Sequence, residues 1–271
     1  MLPAFLLSVR EGLEMALIIG IVLGALRKFQ RQELNRVVWS GVLSAGALSL
    51  LTAFGLHLVG ARLEEPYEQI FEGTMMLLAA GVLTWMIFWM QRQARHLKQE
   101  LEQEVQLAAA ATGGRAIFAL AFLAVLREGI ELAIFFTAAA AASGETLAAL
   151  GALAGLATAA ILGWAFFTAS IRLDLRRFFQ FSSVLLVLFA AGLVAHGVHE
   201  FNEIGIIPAL IQPVWDTSRW ISEDGFLGQV LKTLFGYNAN PSLSEVMAYL
   251  AYFLAIAIGL RQSRTAVTSP V

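Results

Sequence analysis

No cysteine occurs in this chain of 271 residues. That excludes disulfides, thiolate catalysis and the cysteine-built sites for zinc, copper(I) or iron–sulfur clusters. Charge is scarce as well: 14% of residues are Asp, Glu, Lys or Arg, against about 25% in a soluble domain. The net charge of −2 is near neutral and speaks against nucleic acid as a partner. Prolines number 6 and turn clusters are few, so little in the sequence breaks long helices.

What fills the chain is apolar. Hydrophobic residues make up 58% and the mean hydropathy is +0.72, the composition of a multi-spanning membrane protein. A span needs about 20 mainly apolar residues. Seven segments meet that need: 3–26, 37–60, 68–91, 115–140, 146–169, 178–201 and 243–261. They lack the alternating polarity of barrel strands and are expected to be helices. Residues before the first apolar run carry no Lys or Arg, and the run itself holds Arg10, Glu11 and Glu14, so it reads as a retained span rather than a cleaved signal. Residues 97–112 read as a short polar cytoplasmic helix.

Loop charges set the expected orientation. Arg27, Lys28, Arg31 and Arg36 lie in the first loop, Arg92, Arg95 and Lys98 in the third, and Arg172, Arg176 and Arg177 in the fifth. Arg261 and Arg264 lie in the tail, whereas Glu64, Glu65 and Glu68 mark the second loop. The positive-inside rule then places the N-terminus outside and the C-terminus in the cytoplasm. The long sixth loop, 202–242, carries Trp215, Trp220, Phe226, Phe235 and Tyr237 and is expected to hold short helices at the outer interface.

Against this apolar background one pentapeptide occurs twice. Arg10-Glu11-Gly12-Leu13-Glu14 returns as Arg127-Glu128-Gly129-Ile130-Glu131, 117 positions later (127 − 10). Leu78-Ala79-Ala80-Gly81-Val82 likewise resembles Phe189-Ala190-Ala191-Gly192-Leu193. The reading is a single membrane domain over 1–271, with a three-helix repeat at 3–91, a second at 115–201, the loop at 202–242 and a seventh helix at 243–261. Three is odd, so the second copy is inverted relative to the first, an arrangement of many transporters. Gly41, Gly46, Gly151 and Gly155 are expected to allow close helix contact.

An ionisable residue at a helix centre costs about 2.5–3.5 kcal/mol on insertion scales. Each pentapeptide carries one cation and two anions, so the surplus negative charge needs a proton or another cation. Glu14 lies about 11 residues into its span, roughly 16 Å deep in a ~30 Å core. Glu128 reaches a similar depth from the other face. Glu11, Glu14, Glu128 and Glu131 are therefore candidate metal ligands, with Arg10 and Arg127 in support. A buried structural clamp between the first and fourth spans is the alternative. Carboxylate oxygens favour hard cations, among which Fe³⁺, Mg²⁺, Ca²⁺ and Mn²⁺ are not separated by side-chain chemistry.

Glu68 and Glu72 on the third span, with His196, His199 and Glu200 at the end of the sixth, form a candidate acidic mouth on the outer side. Interfacial hydrogen bonding accounts equally well for the two histidines. Ser242 and Glu245 have the spacing of a capping box opening the seventh span. No nucleophile–base pair stands out, so the chain does not read as an enzyme.

The doubled Arg-Glu-Gly-x-Glu, the seven spans and the acidic approach to the third span resemble the oxidase-dependent iron permeases, in particular the bacterial EfeU-type branch. Phe71-Glu72-Gly73, Leu83-Thr84-Trp85-Met86, Ile171-Arg172-Leu173 and Leu234-Phe235-Gly236-Tyr237 extend the likeness along the chain. The resemblance implies iron uptake across the bacterial inner membrane, with Fe³⁺ as the transported form, iron as substrate and no cofactor. It implies iron-handling roles for Glu11, Glu14, Glu128 and Glu131, and periplasmic cupredoxin-like and haem-peroxidase partners. A competing reading is a membrane anchor or assembly subunit for a periplasmic iron-oxidising enzyme, with the sixth loop as its essential part.

Overall fold

The computed structural model describes residues 1–93, 97–111, 114–169, 175–221, 225, 228, 231–232 and 235–265. Arg95, Ile171, Arg172, Leu173, Phe226 and Leu234, which the sequence reading used, and the last residue of the helix expected over 97–112, lie outside them. So do the side chains of Met90, Arg92, Lys98, Arg176, Arg177 and Arg264.

The described residues are helical, without a strand. Eight α-helices follow in order: α1 (Leu2–Lys28), α2 (Asn35–Gly60), α3 (Tyr67–Gln93), α4 (Leu97–Ala111), α5 (Gly114–Ser143), α6 (Glu145–Ala169), α7 (Leu175–Glu203) and α8 (Leu243–Thr265). A 3₁₀ turn at Gln32–Leu34 joins α1 to α2. Every expected span coincides with one of these helices to within a few residues, because long apolar runs free of Pro and turn residues have no competing local structure. Five of them, α2, α3, α6, α7 and α8, are long and apolar enough to cross a membrane. Helices α1 and α5 are as long, but each carries a charged pentapeptide in its interior.

Packing does not follow chain order. Helix α1 lies mainly along α6, and α5 mainly along α2, while α3 lies along α7 and α1 crosses α5. Small residues make these approaches possible. A Cβ on Gly41 would lie 2.9 Å from the Phe118 carbonyl oxygen, and one on Gly155 2.5 Å from the Phe5 carbonyl oxygen. Gly151 likewise meets the Met1 carbonyl. Gly46 does not fit the expectation: nothing lies within 4 Å of the Cβ it lacks, so it seats no neighbouring helix.

Two apolar clusters flank the centre. One joins α3, α5 and α7 through Met76, Leu83, Met86, Phe135, Phe189 and Leu193, so Met76 and Met86 are core filling. The other joins Val22, Leu26, Val38, Val105 and Ile117, and it includes α4. The polar helix expected over 97–112 is thus present and docks through buried Val105, with Lys28 Nζ donating to Glu102 Oε2 at 2.8 Å.

The approach to α8 is tied back by backbone pairs, Val214 N to Pro241 O, Thr217 N to Ala239 O and Leu243 N to Ile211 O. Gly236 has φ +67°, and its backbone rests against Gly192 of α7, where no side chain fits. In the described part of the sixth loop, α7 ends at Glu203 and 204–221 carries turns and bends without a helix; beyond it, helical residues occur at 228, 231, 232 and 235. Trp220 is 87% exposed there, and Ile206, Leu210 and Ile211 are exposed beside it in sequence.

Candidate metal site

The two pentapeptides meet where α1 crosses α5. Helical spacing decides what each carboxylate can reach: residues four apart share a face, so each arginine finds the second glutamate of its own motif. Arg10 Nε donates to Glu14 Oε1 at 3.1 Å, and Arg127 Nε donates to Glu131 Oε1 at 3.0 Å. The first glutamates, Glu11 and Glu128, are left to turn toward each other. Glu11, Glu128 and Glu131 are all buried, and each offers one oxygen within 4.8 Å of the others. Among the described residues, this is the only group of three or more acidic or histidine side chains so placed.

Glycine in each motif brings a further helix close to the site. A Cβ on Gly12 would lie 2.5 Å from Ala159 Cβ on α6, and one on Gly129 would strike Ser49 of α2. In each motif the glycine therefore seats a neighbouring helix, not an ion. Both oxygens of Glu11, with Oε2 of Glu128 and of Glu131, are buried and lack a hydrogen-bond partner. Buried acceptors are ordinarily satisfied, and each exception needs a reason. An ion fits: hard cations hold carboxylate oxygens at about 2.0–2.6 Å, so opposite ligands stand about 4–5 Å apart.

Glu14 stands at the edge of this group. Its side chain is 11% exposed and its carboxylate pairs with Arg10, with Glu131 and Arg127 nearby. The two arginines differ in setting: the Arg10 side chain is 0% exposed and that of Arg127 34%. The Arg127 guanidinium lies over the rings of Trp85 and Trp89, 5.1 and 4.5 Å from their centroids. The sequence reading did not link these tryptophans to the motif.

The remaining candidates lie apart from the trio. Glu68 is exposed, and Glu72, half-buried, neighbours it and Glu200. His196 Nδ1 lies 3.0 Å from the Gly192 carbonyl. His199 Nδ1 lies 3.1 Å from Glu245 Oε1 and its Nε2 3.5 Å from Glu203 Oε1. Three of the four ring nitrogens are thereby engaged within the protein. Glu245 also accepts from Asn238 Nδ2 at 2.8 Å and from Ser242 N at 3.0 Å, while Glu245 N donates to Ser242 Oγ at 3.2 Å. The capping box is formed, and its glutamate additionally fastens α7 to α8. His57 faces Glu145 at 3.1 Å across α2 and α6.

Residues 1–270 match the iron permease FTR1 family. The chain is 35% identical to a protein of Shigella sonnei (strain Ss046) named ferrous iron permease EfeU, over 98% of this chain and 99% of that one. It is 36% identical to the ferrous iron permease EfeU of Escherichia coli O6:K15:H31 (strain 536 / UPEC), over 94% and 93%. The protein of that name from Yersinia pestis is 32% identical over 95% and 92%. No solved structure matches.

Proposed function

The chain belongs to the iron permease FTR1 family, and from that premise we propose that it carries iron inward across the bacterial inner membrane through the carboxylate cluster between α1 and α5. It is a permease and not an enzyme, and iron is its substrate. The observation that carries the site assignment is the convergence of Glu11, Glu128 and Glu131 within 4.8 Å, four of whose oxygens are buried without a partner. A structural clamp would satisfy those oxygens with donors from other residues or with protons shared among the carboxyls. A cation pathway requires them vacant, and metal uptake separates the two.

In the proposed arrangement α1, α2, α3, α5, α6, α7 and α8 span the bilayer, with the N-terminus outside. Residues 3–91 and 115–201 form inverted repeats. The reciprocal packing of α1 on α6 and of α5 on α2 supports this, as do Gly12 and Gly129, each seated on a helix of the other half. Iron approaches past Glu68, Glu72 and Glu200, which raise the local cation concentration. It then sheds water for the oxygens of Glu11, Glu128 and Glu131. Arg10 and Arg127 hold Glu14 and Glu131 in place and offset part of the charge while the site waits, so release remains possible.

The resemblance implied Fe³⁺, whereas the relatives carry the word ferrous in their names. The carboxylate set accommodates either, so the valence is left to the assay. The anchor reading draws on the exposed aromatic loop, but it gives no reason for unpartnered acids in the core.

Purified protein in liposomes tests the proposal. Uptake of anaerobic Fe²⁺, of Fe³⁺–citrate and of Mn²⁺ is compared for the natural protein, Glu11→Gln and Glu128→Gln. Iron uptake by the natural protein and its loss in both variants is the expected result. Uptake by both variants at the natural rate would remove the site.

A further inference from the structure

The two pentapeptides are alike in sequence but not in surroundings, and the difference lies around Arg127. Arg10 is sealed inside the protein, while Arg127 is 34% exposed and stacks on two indole rings. Trp85 and Trp89 lie one helical turn apart on α3, with centroids separated by 6.3 Å and planes 28° apart, and together they form an aromatic wall. The guanidinium faces that wall at 5.1 and 4.5 Å. On its other side Nε reaches Glu131 at 3.0 Å and Glu128 only at 4.0 Å.

One cation is thus shared between an aromatic face and two carboxylates. Attraction to the quadrupoles of the rings holds a guanidinium about as firmly as an exposed ion pair does. Remove the rings, and nothing on that side opposes the pull of Glu128 and Glu131, whose Oε2 atoms have no other partner. The guanidinium would settle on those oxygens and occupy the ligands of the ion.

The wall exists in one half only. Aligning Leu78-Ala79-Ala80-Gly81 with Phe189-Ala190-Ala191-Gly192 sets an offset of 111 (189 − 78). That offset places His196 and Glu200 where Trp85 and Trp89 stand. In the proposed orientation α3 runs inward, so the wall lies on the cytoplasmic side of the cluster and the His/Glu pair on the outer side. Matched positions are polar and acidic on the approach, and aromatic on the exit.

Resting on the site proposed above, we infer that Trp85 and Trp89 are positioning residues that hold Arg127 on Glu131 Oε1 alone, keeping the Glu128 carboxylate and Glu131 Oε2 open for the ion on the exit side.

The test uses full-length protein in liposomes and detergent, with Fe²⁺ and Mn²⁺ as probes. Trp89→Leu and the double variant Trp85→Leu/Trp89→Leu are expected to raise the apparent KM for metal by about three- to thirty-fold, the range a cation–π contact of this kind sets. Trp89→Phe, which keeps an aromatic face, recovers most of the loss. The metal-induced rise in Tm shrinks in the same order, while Tm without metal moves little. In an Arg127→Gln background, Trp89→Leu has no further effect on KM. A natural KM in the folded double variant would overturn the inference, as would equal losses for Phe and Leu or an undiminished effect without Arg127. If Glu11→Gln also left metal binding intact, the fault would lie with the site itself.

Discussion

Glu11 and Glu128, 117 positions apart in the chain (128 − 11), bring carboxylate oxygens within 4.8 Å of one another in the protein interior. Like charges so close in a poorly solvated place repel strongly. Replacing one by its neutral isostere relieves that repulsion. Glu11→Gln is therefore expected to keep or raise Tm without metal, by about 1–3 kcal/mol of stability, while losing the increase that metal adds. Melting curves of purified protein with and without Mn²⁺ decide it; a fall in the metal-free Tm would mean that the acid is structural.

The motif glycines carry a second expectation. Gly12→Ala sets a methyl 2.5 Å from Ala159 Cβ, and overpacking of that kind costs about 1–3 kcal/mol. Ala159→Gly in the same protein should return most of the loss by making room on α6. Thermal melts of the single and double variants measure the coupling, and additive losses would show that α1 and α6 do not limit each other there.

At the N-terminal end of α8, Ser242→Ala removes the capping bond from Glu245 N together with the Oγ contacts to Asn202 and Ser244, and the lost cap alone should cost about 0.5–2 kcal/mol. Glu245→Gln should cost more, because Glu245 also takes His199 and Asn238. Denaturation of both variants orders the two losses, and the reverse order would mean that the tie to α7 runs through Ser242 and Asn202 rather than through Glu245 and His199.

Helix α4 gives a contrast between charge and packing. Lys28→Ala, which breaks a largely exposed pair with Glu102, should change stability by no more than about 1 kcal/mol. Val105→Asp places an unpaired charge in a core contact at 0% exposure and should release the helix. Limited proteolysis between α4 and α5 reads the release directly; a protease-resistant Val105→Asp protein would contradict the docking described.

How much of this could be read from residues alone follows from the range of each interaction. Long apolar runs fix helices locally, so the helix ends fell within a few residues of their expected places. The duplicate pentapeptide announced a meeting of Glu11 with Glu128, because two costly motifs at matched depth have little reason to lie apart. Glu245 disclosed only half of its role. The three-residue spacing to Ser242 revealed the cap, but His199 comes from a helix 46 positions away, a distance no local pattern encodes. The same holds for Trp85 and Trp89, whose partner Arg127 is brought in by the packing of α3 on α5. The spacing of His196 and His199 left ligation and interfacial hydrogen bonding equally open, and carbonyl and carboxylate oxygens take three of their four ring nitrogens. Gly46 carried the composition of a contact site without the neighbour.

Anomalous diffraction at the iron edge from crystals grown with iron tests the central claim most directly. A peak bounded by Glu11, Glu128 and Glu131, absent from Glu128→Gln crystals, is the expected result. A peak confined to the group of Glu72, His199 and Glu200, or one that persists between α1 and α5 without Glu128, would contradict it.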